Sequence, residues 1–84
     1  MEENPNLKSA ILEVVDNQLK ANDPPETRKT LERLIAEGYA EDDARGLIGS
    51  IVAAEMFDVM KQQKPFNLER FVKALKALPK LPGD

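Results

Sequence analysis

The chain has 84 residues, 42% of them hydrophobic and 32% charged, with a formal charge of −3 and no Cys, His or Trp. That length fits one domain, able to bury roughly 60–65% of the surface its unfolded form exposes. The missing residues exclude disulfides, thiolate nucleophiles, imidazole bases, Ser-His-Asp triads and zinc sites built on Cys or His.

Apolar residues recur with a 3.6-residue period throughout, and alternating β-branched runs are missing, so four helices and no strand are predicted. The first opens at Asn4, a capping residue, with Pro5 at a position whose absent N–H costs nothing. Leu7, Ile11, Val14, Val15 and Leu19 fall on one face, widened by Ala10 and Leu12. Asp23-Pro24-Pro25-Glu26 predicts the second helix start, with Asp23 capping the first turn and Glu26 reaching back to it. Leu31, Leu34 and Ile35 form its expected buried stripe, with Thr27 and Thr30 at the edge. Gly38 is placed to turn left-handed and end it, and Tyr39 to lock that end.

Glu41-Asp42-Asp43 opens a third helix, three carboxylates at its positive end, running to about Gln63 as the central element. Its predicted core face is Ala44, Leu47, Ile48, Ile51, Val52, Met56, Val59 and Met60. Gly46 and Gly49 inside it each cost about 1 kcal/mol relative to Ala, which implies close approach of another helix to a surface they share with Ser50, Ala53 and Ala54. Lys64-Pro65 breaks this helix. Asn67 is set to cap a fourth, with Phe66 stapling onto Phe71. Phe71, Val72, Leu75 and Leu78 form the last stripe, Pro79 ends it, and residues 1–3 and 79–84 are expected to be flexible ends.

No catalytic, cofactor or metal site emerges. The acids at 41–43 lack the ordered spacing of a calcium loop, and no Gly-Lys-Ser/Thr phosphate loop is present. Glu55, among Ala54, Met56 and the Ile51/Val59 stripe, either reaches solvent or is part-buried with a raised pKa or a Lys or Arg partner. Met56, Phe57 and Met60 form a soft apolar cluster that is either core or, if exposed, an interaction patch. Charge is uneven: residues 1–60 carry 13 acids and 6 bases, whereas 61–84 carry six bases, Lys61, Lys64, Arg70, Lys73, Lys76 and Lys80, against Glu69 and Asp84. The basic end either lies beside the acidic body of its own chain or offers a face to a polyanion.

Residues 34–48, Leu-Ile-Ala-Glu-Gly-Tyr-Ala-Glu-Asp-Asp-Ala-Arg-Gly-Leu-Ile, locally resemble a ubiquitin-associated domain, which also joins two helices through a Gly-aromatic turn. The third helix here is too long for that unit. Over residues 4–78, the order Asn4-Pro5-x-Leu7, Gln18, Asp23-Pro24-Pro25-Glu26-x-Arg28, Arg33-Leu34, Gly38, Ala44 and Ile48-Gly49 resembles small helical bacterial proteins of unknown function. That family pattern carries two His-x-x-x-His pairs, which would form a metal site on facing helices. The matching positions here are Lys8 and Leu12, then Asp42 and Gly46, so all four histidines are absent and no site is carried over.

The expected fold is an all-α, compact four-helix bundle with a long third helix. The expected role is that of a small non-catalytic cytoplasmic protein acting through protein contacts, including self-association, at Gly46, Gly49, Ala53, Met56, Phe57 and Met60. No membrane span or secretory leader is expected, since no apolar run is long enough and the start is acidic. The alternative is binding of nucleic acid or another polyanion by Lys61, Lys64, Arg70, Lys73 and Lys76. A weaker one is a member that has lost a His-based metal site, in which Asp42 and Asp16 would have to replace imidazoles.

Overall fold

The computed structural model describes residues 5–82, with side chains from Leu7 onward. Four helices follow one another as α1 (Pro5–Ala21), α2 (Pro25–Ala36), α3 (Glu41–Gln62) and α4 (Leu68–Ala77), with no strand among the described residues. This is the expected all-α bundle. The Cα radius of gyration is 12.5 Å, close to the roughly 12 Å of a compact chain of this length. The 22-residue α3 is the longest element and packs against each of the other three helices, as α2 also does.

The helix stops are local chemistry made visible. At the end of α2, Gly38 takes φ +108°, the Gly38 N–H donates to Ile35 O (3.0 Å) and the Tyr39 N–H donates to Leu34 O (3.1 Å). This is a Schellman closure, in which Tyr39 then packs onto the core. Asn67 caps α4, its side chain accepting from the Arg70 N–H at 2.9 Å, and the rings of Phe66 and Phe71 lie 5.7 Å apart across the cap. The Asn4 cap lies outside the described residues. The expected Asp23 capping box is absent. Pro24 stays extended (φ −74°, ψ 150°) and is itself the residue before the helix, so Asp23 stands one position too early and no side chain caps α2. Two arginines do related work at helix C-termini. Arg28 donates to Leu19 O in the last turn of α1 (2.7 Å), and Arg33 donates to Leu75 O near the end of α4 (3.1 Å).

Val15, Leu31, Leu34, Ala44, Ile48, Ile51, Val52, Phe71, Leu75 and Leu78 form one buried cluster. The core face of α2 is Thr27, Thr30, Leu31 and Leu34, an i, i+3, i+4, i+7 set. Thr27 and Thr30 are therefore interior and Ile35, expected inside, is exposed. The Thr27 hydroxyl remains satisfied because it donates to Gln18 Oε1 at 2.8 Å. The chain beyond α4 continues to pack, with Leu81 half-buried against the core.

Candidate functional site: an apolar groove beside a buried carboxylate

The inward line of α3 runs through Ala44, Ile48, Ile51, Val52 and Glu55. Position 55 thus takes the place that the sequence assigned to Met56. Glu55 reaches its partners inside the fold: Arg70 donates from Nε (2.9 Å) and Nη2 (2.7 Å), one N–H to each carboxylate oxygen, and the Asn67 N–H donates to Oε1 (3.1 Å). Its side chain is only 7% exposed while that of Arg70 is 39% exposed. The hydrogen bonds from Arg70 hold the Glu55 carboxyl below its usual 4.5, outweighing the burial that pushes it up. The same contact raises the Arg70 guanidinium above its usual range. Of the openings left by the sequence, the structure selects burial with an arginine partner, and the shift is downward, not upward. The pair ties α3 to the first turn of α4.

With Glu55 turned inward, Met56 and Met60 turn out. Met60 is 76% exposed, Phe57 59%, Phe66 53% and Met56 42%. The Met/Phe cluster is therefore surface, and the predicted core face of α3 is corrected at Met56 and Met60. Met56, Met60 and Phe66 border a groove of about 380 Å³ whose lining also includes Val14, Val52, Val59 and Phe71. Met60 shares a helical face with both Met56 and Phe57, at spacings of four and three. Phe57 lies outside the groove itself, with the Lys61 ammonium 5.5 Å above its ring. Thioether side chains beside aromatic rings make an adaptable apolar surface.

The small-residue face divides in two. A Cβ built on Gly49 would lie 3.3 Å from Ile11 Cγ2 and 3.7 Å from Leu12 Cδ2, so α1 makes the predicted close approach there. Gly46 meets nothing within 4 Å. It opens instead onto a cleft of about 690 Å³ between α1 and the start of α3. Lys8, Leu12, Asp42 and Gly46, the four positions matching histidines in the resembled pattern, all line this cleft. The cleft's carboxylates are Asp42 and its neighbour Asp43, and no group of three or more metal-ligating side chains occurs among the described residues, so those present do not fit a metal ion there. Asp16, the other carboxylate considered, receives a hydrogen bond from Arg45, which also lies 3.8 Å from Asp42. Ala53 lines a second, smaller opening between the same two helices.

Some of the basic residues have neighbours in their own chain, while Arg70, Lys73 and Lys80 together border one shallow opening at the end of α4. Arg70 is held by Glu55, Lys61 by Phe57, and Lys73 and Lys76 border a depression shared with Glu26 and Glu69. Among the described residues no helix is long and apolar enough to cross a membrane. No protein-family model, curated protein or solved structure matches the chain.

Proposed function

We propose that this chain is a non-catalytic cytoplasmic protein whose role is to dock another protein surface through the groove bordered by Met56, Met60 and Phe66. The observation that carries this is the exposure of Met60 and Phe66 beside a groove with an apolar floor. Water-facing apolar side chains grouped around a concavity typify docking sites, whereas singly scattered ones are ordinary surface. The absence of His and Cys from the whole sequence narrows catalytic alternatives and leaves contact as the simplest role.

Affinity capture with the wild-type chain and with a Met56→Asp/Met60→Glu variant tests this. A partner retained by the wild type and lost by the variant is expected. An identical set of partners for both refutes the groove as the docking surface.

Polyanion binding through Lys61, Lys64, Arg70, Lys73 and Lys76 has less support, since Arg70 is engaged by Glu55 and acidic side chains stand beside Lys73 and Lys76. Phosphate contacts would weaken steeply with salt. A low-salt titration with mixed DNA and RNA that leaves the NMR spectrum unchanged is the expected result. A lost metal site is a further proposal, supported by the convergence of Lys8, Leu12, Asp42 and Gly46 on one cleft. It needs Asp42 and Asp16 to stand in for imidazoles, and a melting temperature left unchanged by zinc, manganese and iron counts against it.

A further inference from the structure

We infer that the occupant of the groove is a second copy of this chain, seated by a two-fold exchange in which each Met60 enters the partner's groove. The inference rests on the docking reading above and names its partner. A two-fold interface uses the same patch on both subunits, so the patch must carry both a projection and a recess. This one does. Among the described residues Met60 is the most exposed of the large apolar side chains, and it stands on the border of a 380 Å³ groove lined by Val14, Val52, Val59 and Phe71.

The area agrees. From their fractional exposures, Val14, Met56, Phe57, Met60 and Phe66 together leave on the order of 500 Å² in water. A standard interface covers ~800 Å² per partner, about 60% of it apolar, which is again roughly 500 Å². The patch is thus the size of the apolar part of a stable dimer interface.

Charge is compatible with the exchange. Lys61 and Lys64 follow Met60, and Glu13 precedes Val14 on α1, with all three side chains exposed. Opposite charges next in the chain to groove-lining residues of α1 and α3 are thus available for pairing across a two-fold. The uneven charge of the chain, acidic before residue 61 and basic after it, then serves contact between two copies as well as within one.

Sedimentation velocity of the full chain from micromolar to near-millimolar concentration tests the inference. The expected result is a rise from the 9.4 kDa monomer to twice that mass. Met60→Glu, which places a charge in the partner's apolar groove, is expected to weaken association by roughly 100-fold. Met60→Leu restores it, and Lys76→Glu leaves it unchanged. Because Met60 is largely exposed, the circular dichroism of Met60→Glu should match the wild type. A wild type that stays monomeric throughout, or a folded Met60→Glu that still dimerises, overturns the second copy as occupant.

A photo-crosslinking residue at position 60, irradiated in the native cell, separates this from failure of the docking reading. Adducts at twice the chain mass are expected. Adducts only with other proteins, abolished by Met56→Asp, overturn the dimer and leave the docking surface standing. No adduct overturns both.

Discussion

Replacing Glu55 by Gln is the sharpest perturbation of this fold, because one carboxylate joins α3 to the start of α4 through three hydrogen bonds. Hydrogen bonds to charged groups contribute about 1.5–3 kcal/mol each, and breaking a fully buried ion pair costs about 3–5 kcal/mol. The cost here is smaller. Arg70 is 39% exposed, so water recovers much of its solvation once the carboxylate is gone, and Gln can still accept from the Asn67 N–H. The expected loss is about 2 kcal/mol, which for a domain of this size lowers the melting temperature by roughly 8–15 °C. Thermal melts followed by circular dichroism at pH 7 measure it.

The pH dependence supplies a second check. The Glu55 carboxyl titrates lower in the folded chain than its usual 4.5. The unfolded chain therefore takes up this proton first as pH falls. The stabilisation is complete above about pH 4.5 and disappears as pH drops through the folded pKa. Wild type and Glu55→Gln should differ most at neutral pH and converge in acid. Equal melting temperatures at pH 7, or a gap that persists unchanged to pH 2.5, would refute the role assigned to the pair.

Four further substitutions probe the scaffold. Gly46→Ala adds a methyl to open, helical surface and should stabilise by about 1 kcal/mol, whereas Gly49→Ala, crowded by Ile11, should gain clearly less; paired urea titrations give the order. Gly38→Ala places a Cβ at φ +108° and should cost about 1–2 kcal/mol, read as a fall in the urea midpoint with unchanged slope. Asn67→Ala removes the α4 cap and should cost about 1 kcal/mol, with faster amide exchange in residues 68–71 as its local signature.

What the sequence made legible was chemistry confined to a few adjacent residues. Gly38-Tyr39 names a helix end because only glycine takes that backbone angle cheaply, and Phe66-Asn67 names a start because the cap and the staple need no distant partner. Asp23 misled because a capping residue must directly precede the first helical turn, and the extended Pro24 holds that place. Apolar counting misled where the interior is polar. Thr27 fits inside because Gln18, nine residues earlier, accepts its proton, and Glu55 because Arg70, fifteen residues later, neutralises it. Neither partner shares a helix with the residue it satisfies, so no local pattern reveals it. The groove was half legible. Met56 and Met60 stood out, in a cluster with Phe57 that lies beside the groove, but Val14 and Phe66 join it only through the packing of α1 and the α3–α4 connection.

The buried carboxylate and the exposed methionines are two sides of one helical register. An α3 turned by about one residue would bury Met56 and Met60 and release Glu55 to its edge, the arrangement that hydrophobic burial alone favours. The chain adopts the other register, supported by the Asn67 N–H and the Arg70 guanidinium, both carried by the start of α4. Burying an ion pair in place of an apolar residue of similar size seldom gains stability, and leaving Met60 in water gains none. A sequence that accepts both at neighbouring positions departs from optimal packing where functional surfaces are expected. The register further predicts that disturbing Glu55 is felt at the groove. In Glu55→Leu, where the buried charge is gone, Arg70 turns to water and α4 loses its tether, the Met56 and Met60 methyl resonances should shift, while the methyls of Leu34 and Ile48 at the centre of the core should stay in place. Unchanged methionine resonances in a folded Glu55→Leu would separate the ion pair from the groove and leave it as a brace for α4 alone.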